Sequence, residues 1–292
     1  MRFAPTDEQL ALADAVRAPL AAGDWDALVA MDVFADLGLT ATDFVGVLEA
    51  AGYAAIDAPF SATAFVAGPL LAALGDPRGT GGSRIALAGP GGLTPFGAKA
   101  DWILHLDGDV ARIGAAAGAP VSTVDPHLDA VVSTGADILT EDPGLVRAAR
   151  RRAGLALAAE LVGLGRRMLD LTVAYVGQRH QFGAPVGRFQ AVKHHLADAL
   201  LGLEFAAPEV LAAAWAVEHD VDADRAVDAA VVLAAEAAHD AGRHAVQCHG
   251  AIGYTVEYEL HRYLKRAWAL ESLADTGTRL DRLATSLLED VQ

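Results

Sequence analysis

Residues 142–171 read DPGLVRAARRRAGLALAAELVGLGRRMLDL. Asp142 is a preferred N-cap and Pro143 suits the first helical position, so a helix starts here. Leu157, Leu161, Leu164, Met168 and Leu171 then follow at 4-3-4-3 spacing, which lays one apolar stripe along a long helix and commits it to packing on other helices. Three more long segments come after it. The pattern predicts helices over Phe189 to about Glu218, kinked near Pro208, over Asp224 to about Gln247, and over Glu257 to about Leu288, broken near Thr276-Gly277. Pairs such as Ala229-Ala230 and Ala234-Ala235 favour helix and let axes approach closely. A four-helix bundle over residues 142–292 is the central expectation.

Upstream the character differs. Thr6-Asp7-Glu8-Gln9 fits a capping box, with Leu10, Leu12, Ala15 and Val16 at helical spacing after it and Pro19 ending or kinking the run. A second helix is predicted from about Thr42 to Ala51, with Gly52 as its stop, and a third over Ala62 to Leu74. Residues 1–84 therefore read as a helical unit. Over residues 85–141 glycine and proline rise and short apolar runs appear at 85–87, 102–106 and 130–132, with Asp107-Gly108 as a hairpin signal before Val110. That stretch reads as a reduced β domain, too short to close a roomy barrel and so packed on helices or on another chain. The fold class is mainly α.

Composition narrows the function classes. The chain has 292 residues, 53% hydrophobic, with a net charge of −16, which repels nucleic acid and anionic lipid surfaces. Cys248 alone can form neither an intrachain disulfide nor a thiolate zinc cage. The start Met1-Arg2-Phe3-Ala4-Pro5 lacks the apolar core of a signal peptide, and no uninterrupted apolar window of bilayer-spanning length occurs, so a cytoplasmic protein with no membrane insertion is expected.

Two interhelical corners carry the chemistry. In Gln178-Arg179-His180-Gln181-Phe182-Gly183-Ala184-Pro185-Val186-Gly187-Arg188-Phe189-Gln190, the Gly and Pro residues form a turn and Arg179, Phe182 and Gln190 stand at its rim. An arginine can fork onto phosphate and an aromatic can stack on a ring, a combination that suits a nucleotide-like cofactor; spacing alone leaves an ordinary interhelical loop equally open. In Gln247-Cys248-His249-Gly250-Ala251-Ile252-Gly253-Tyr254 the glycines permit close approach to a ligand or a tight turn. The stretch follows a helix, so it is not the dinucleotide fingerprint of strand-turn-helix folds.

Together these stretches resemble the acyl-CoA dehydrogenase family. Arg179-His180-Gln181-Phe182-Gly183-Ala184-Pro185 resembles its Arg-x-x-Phe-Gly-x-Pro signature, and Phe189-Gln190-Ala191 its following Gln-Ala step. Gln247 to Tyr254, with Glu257-Tyr258 and Leu264-Lys265-Arg266-Ala267, is similar to its Gln-x-x-Gly-Gly-x-Gly block and the helix after it, while Phe3 to Gln9 and Gly38 to Tyr53 resemble its N-terminal helical domain. The resemblance implies a flavoenzyme that oxidises the Cα–Cβ bond of an acyl-CoA thioester. By it, Arg179, Gln181, Phe182, Phe189 and Gln190 hold the adenosine and pyrophosphate end of FAD, and Gln247, Gly250 and Ala251 line the same cofactor with backbone groups. It also implies that this FAD is housed largely by a neighbouring subunit, and that a separate flavoprotein accepts the electrons.

Two departures from the pattern stand out. The middle segment is shorter than the family's β domain and shows no strand to wall off the isoalloxazine ring. The resemblance also places Ala274 where the catalytic glutamate belongs, with Asp275 the adjacent carboxylate, and the alternative base position falls near Ala153. A neutral side chain cannot abstract a proton. Shortened actinobacterial members of the family pair with a second, distinct subunit as heterodimers or heterotetramers, often for bulky substrates such as steroid side chains. The expectation is therefore a subunit that completes a flavin site while its mate supplies the base, with Asp275 as the weaker local candidate; a structural subunit that binds no flavin is the alternative.

Other residues read more plainly. Glu236 and His239 have the spacing of half a di-iron site but lack the second half, so they are expected to form a surface pair; His194 and His195 cannot face one ion together. Glu160 is expected to make a polar contact within the bundle, with a buried carboxylate of raised pKa as the other reading, and Trp215 and Trp268 are expected to be core.

Overall fold

The computed structural model describes residues 4–34, 38–79, 82–133 and 136–289. Met1 to Phe3, part of the N-terminal reading, lie outside them. The capping box is present: Gln9 N–H donates to Thr6 Oγ1 and Thr6 N–H to Gln9 Oε1, opening α1 (Asp7–Ala22). Pro19 does not end this helix, which continues to a left-handed Gly23 cap. A short α2 (Trp25–Ala30) follows, capped by Asp24, a segment too brief to show a period in sequence. The next helix, α3 (Ala41–Ala54), runs through Gly52 rather than stopping there, because Thr40 and Asp43 cap its start and Ala55 takes the left-handed turn at its end.

Ala62–Ala67 is a π-helical turn leading into α4 (Gly68–Ala73). Buried Thr63 bridges this turn to the sheet, donating to the carbonyls of Pro59 and Ile85 and accepting from Ile85 N–H at 2.9 Å. The middle segment forms two small sheets. One has the order β1 (Ile85–Leu87), β3 (Trp102–Asp107), β4 (Val110–Ala115), β7 (Asp137–Thr140), and the other β2 (Leu93–Thr94), β6 (Val131–Val132), β5 (Ala119–Pro120). Asp107 pairs with Val110 across a two-residue hairpin turn whose Gly108 has φ +55°, as the sequence signal anticipated. Ile85, Leu104, Ala111 and Ile113, on one face of the sheet, bury against Val66, Leu70, Leu71, Val146 and Ala149, so the sheet rests on helices of its own chain.

The bundle consists of α5 (Pro143–Gln178), α6 (Gln190–His219), α7 (Ala223–His249), α8 (Leu260–Ala274) and α9 (Thr276–Glu289), with a two-stranded hairpin of β8 (His180–Gln181) and β9 (Ala184–Pro185) between the first two. Asp142 caps α5 through the amides of Gly144 and Leu145. Leu161, Leu164 and Met168 are fully buried along the α5 stripe, against Leu203, Val210, Val231 and Leu264. Pro208 lies inside a continuous α6, and the final break falls at Asp275, in the left-handed region, one residue before Thr276. Among the described residues α6 is the one helix long and apolar enough to cross a membrane by composition; here Ala199, Leu203, Ala206, Val210 and Ala213 turn one face of it into the bundle, while Leu200, Leu201 and Phe205 stand exposed.

Arg266, 4% exposed, ties the three regions together. From α8 it donates Nε to Asp125 of the middle segment, and its two terminal nitrogens to the Ile56 carbonyl and Asp57 of the N-terminal unit, while its guanidinium lies 5.0 Å from the Phe96 ring centre. A buried charge is tolerated here because each of its three nitrogens meets an acceptor and two of those acceptors are carboxylates.

Candidate functional site

A cavity of about 750 Å3 opens where the three regions meet. The sequence places its walls by helical spacing: Ala153, Ala156, Leu157 and Glu160 fall at i, i+3, i+4 and i+7 on α5 and all border it. Phe60, Ser61 and Val66 face them from around the π-helical turn, Leu87 from the sheet, and Leu270 and Leu273 from α8. Insertions of this helical type often mark functional sites, since the extra residue re-aims the side chains beside it. The polar lining is concentrated in a few groups. Ser61 donates to Glu160 Oε1. His105 Nε2 lies 3.3 Å from Ser133 Oγ, and burial pulls its pKa below the usual imidazole value, against the opposing charge of Asp107.

Cations also border the cavity. Arg279 and Arg282 converge on Asp228, whose single carboxylate offsets one of their two charges. Arg112 and Arg150 form no ion pair among the described residues, so this rim offers unspent positive charge on a strongly acidic protein. Ala153 and Asp275, the sequence positions weighed for a catalytic base, both line this cavity, from the start of α5 and from the end of α8. Ala274 itself is fully buried.

The two corners lie elsewhere, at one common end of the bundle. One turn before Arg179, the Tyr175 ring stacks on His249, the last residue of α7, with centroids 4.3 Å apart; Tyr175 Oη donates to the His249 carbonyl at 3.4 Å. In the first corner, Val186 N–H donates to Arg179 O at 2.7 Å and closes a hairpin whose central residues, Phe182 and Gly183, have φ of +53° and +81°. A two-residue turn of this hand needs positive φ twice, and a phenylalanine accepts it only under strain. The result is a ring held out at the apex, 92% exposed, edge-on to Phe189 at 6.1 Å. Arg179 is exposed and makes no ion pair among the described residues. In the second corner Gly250 adopts φ +65°, ψ −140°, a conformation open to glycine alone, and it, Gln247 and Ala251 are exposed.

The structure thus gathers Arg179, Gln181, Phe182, Phe189, Gln190, Gln247, Gly250 and Ala251 at one end of the molecule and leaves Asp275 apart from them at the cavity. Arg179 follows Leu157 by 22 positions along continuous α5, about 33 Å at ~1.5 Å per residue. The free Arg179 guanidinium, the raised ring of Phe182 and the open backbone at Gly250 fit the phosphate and adenosine end of a dinucleotide.

Comparison with known proteins identifies the family. Residues 149–278 match the family model for the acyl-CoA dehydrogenase C-terminal domain. Acyl-CoA dehydrogenase IpdE2 of Mycobacterium tuberculosis is 35% identical over 202 residues, 63% of this chain and 60% of that protein's length. Acyl-CoA dehydrogenase IpdE2 of Mycolicibacterium smegmatis is 33% identical over 268 residues, 82% of this chain and 77% of its own. The chain belongs to the acyl-CoA dehydrogenase family. Its fold is that of the family as well: a chain of the ChsE4-ChsE5 complex from Mycobacterium tuberculosis superposes with a TM-score of 0.85, covering 99% of each chain at 22% identity. The N-terminal helices, small β segment and C-terminal bundle are therefore the family architecture in reduced form.

Several readings of individual residues are corrected. Trp268 is 43% exposed on α8 and is not core, and Trp215 is only half-buried, stacked on His219 at 4.2 Å. Glu160 does more than contact the bundle, since it borders the cavity; its place at i+7 from Ala153 was the available signal. His239 pairs with Glu271 of α8 at 3.1 Å rather than with Glu236, and no metal-binding cluster occurs among the described residues. His195 meets His244 of α7, Nδ1 to Nδ1 at 2.9 Å, while His194 turns to Gln190.

Proposed function

We propose that the chain is one subunit of an FAD-dependent acyl-CoA dehydrogenase, that it completes a flavin site shared with a second subunit, and that the partner carries the catalytic base. The observation that carries this reading is the separation of the two sites. Both corners stand together at the bundle end, yet Arg179 lies about 29 Å along α5 from Glu160, the cavity residue nearest to it on that helix at ~1.5 Å per residue, so the corner of one chain serves a flavin seated against another chain. Phe182, Tyr254 and Val256, 92%, 81% and 72% exposed, supply apolar surface at that end for a neighbouring chain to cover. In this reading Arg179 forks onto the pyrophosphate, Phe182 and Phe189 flank the adenosine, Gln181 and Gln190 hydrogen-bond it, and the backbone around Gln247, Gly250 and Ala251 lies along it. FAD supplies the hydride acceptor for Cβ when bound.

The cavity receives the acyl thioester. Its volume suits a bulky acyl group of steroid side-chain size, and unpaired Arg112 and Arg150 suit the phosphates of the carrier. With alanine at 153 and 274, Asp275 is the carboxylate next to the family's base position, and it reaches the cavity edge from an exposed left-handed cap with no side-chain partner that would hold it toward a substrate among the described residues. The division into residues 1–84, 85–141 and 142–292, a cytoplasmic setting, a heterodimer or heterotetramer and an electron-accepting flavoprotein partner complete the proposal. A mixed assembly is supported by the two-component complex whose chain shares this fold.

The test is flavin content. Co-expression with the companion subunit should yield a yellow assembly, and Arg179→Ala should strip the flavin from it without breaking it up on sizing. Full retention of flavin would favour the structural-subunit reading instead.

A further inference from the structure

The cavity carries a polar group where an acyl pocket has no use for one. Its α5 wall runs from exposed Arg150 through Ala153, Ala156 and Leu157 to Glu160, about 15 Å from first to last at ~1.5 Å per residue. Phe60, Val66, Leu87, Leu270 and Leu273 make the facing walls aliphatic or aromatic. An apolar stripe of this kind would ordinarily close on another Leu; here it closes on a carboxyl group. Ser61, 6% exposed, donates to Glu160 Oε1, and no hydrogen bond to Oε2 is present among the described residues. Arg266, the nearest cation acting on Glu160, is already committed to Asp57, Asp125 and the Ile56 carbonyl. Burial pushes the Glu160 carboxyl up, with the Ser61 hydrogen bond and the Arg266 charge opposing. The acid form favoured by burial presents an O–H donor to whatever fills the cavity.

Direction follows from charge. The anionic end of a carrier thioester belongs at the Arg150 and Arg112 rim, and the reacting carbons belong near positions 153 and 275. Glu160 then lies about 10 Å further along α5, beside the far end of the acyl group. We propose that Glu160, oriented by Ser61, is a specificity-determining residue that selects acyl thioesters bearing a ketone or hydroxyl oxygen at the distal end of the acyl group over hydrocarbon chains of equal length. The proposal rests on the acyl-thioester reading of the cavity. A plain alkyl terminus leaves Glu160 Oε2 facing hydrocarbon without a partner, whereas an oxygen function satisfies it, and sites built this way discriminate strongly.

The experiment is equilibrium binding by calorimetry to the purified assembly, using octanoyl-CoA and its terminal methyl-ketone and ω-hydroxy counterparts. The wild type is expected to bind the oxygenated thioesters about tenfold or more tightly than octanoyl-CoA. Glu160→Leu should reduce that preference to within about twofold, and Glu160→Met, closer in shape, serves if the leucine variant does not fold. Glu160→Gln, whose amide still donates, should retain preference for the ketone. Wild-type binding of all three within twofold overturns the proposal and leaves the thioester reading intact, as does an apolar variant that keeps the full preference. Failure of every CoA thioester to bind overturns both.

Discussion

The Tyr175 ring lies on the His249 imidazole with a 4.3 Å centroid separation and 20° between planes, which fastens the end of α5 to the end of α7. Tyr258 closes the group edge-on to Tyr175 at 5.6 Å. His249 is buried, its Nδ1 bound to the Ala245 carbonyl and its Nε2 without a partner, and burial pulls its pKa down so that the neutral ring is favoured. Removing Tyr175 therefore frees both corners at once. Tyr175→Ala should cost about 2–4 kcal/mol in urea unfolding and lower the flavin content of the assembly. Tyr175→Phe keeps the stack and loses only a 3.4 Å hydrogen bond, so it should cost under about 1 kcal/mol and leave flavin in place.

The base assignment is tested at Asp275. A general base typically contributes about 10²–10⁴-fold to rate, so the two locations give widely separated outcomes. Asp275→Asn should leave kcat of the assembly within about twofold of wild type if the proton goes to the partner. A fall of a hundredfold or more in steady-state turnover would put the base in this chain.

Long helices and their caps were legible in sequence because period and capping chemistry are local. Asp142, Thr6 and the α5 stripe each fix their structure within a few residues. The corner motifs were legible as residues, and Phe182 and Gly183 encode the tight turn between them. What escaped depends on partners far along the chain. Gly52 looks like a helix stop until α5 crosses it, Arg266 shows no partner in its own stretch because Asp57 and Asp125 arrive from 209 and 141 positions away, and Trp268 looks like core although its helix face is left uncovered. Glu160 was legible as a buried carboxyl of α5 but not as a cavity residue, since Ser61 and the other groups opposite come from residues 60–62.

Stability should respond to pH through Glu49. Burial pushes its carboxyl up to about 7, with Arg166 opposing from 3.6 Å, against an ordinary value of 4.5. The folded chain thus keeps a proton that the unfolded chain has released between these values. The associated stability is complete below about pH 4.5 and is lost as pH rises through 7. The shift sets a ceiling of about 3 kcal/mol, lowered by the residual 23% exposure of the side chain. Glu49→Gln should remove this contribution, so urea unfolding of wild type and variant should diverge between about pH 5 and pH 8, with wild type losing more. Parallel pH profiles would place Glu49 at an ordinary carboxylate value.

The crossing of α3 over α5 brings backbone against backbone, and two glycines make it possible. A Cβ on Gly163 would overlap the Glu49 carbonyl and sit 2.8 Å from Tyr53 N, and a Cβ on Gly52 would overlap the Glu160 carbonyl. Backbone cannot yield as a flexible side chain can, so the helices must separate. Gly163→Ala and Gly52→Ala should each destabilise by about 3 kcal/mol or more, far beyond the gain of up to ~1 kcal/mol that alanine brings to a helix interior. Gly177→Ala on the same α5 meets nothing within 4 Å and should be neutral or stabilising. Thermal denaturation of the three variants separates crossing from propensity, because only the crossing predicts opposite signs along one helix. Glu160 contributes the carbonyl that Gly52 approaches and also the carboxyl at the cavity, so separating α3 from α5 should in addition weaken acyl-thioester binding, which Gly177→Ala should leave unchanged.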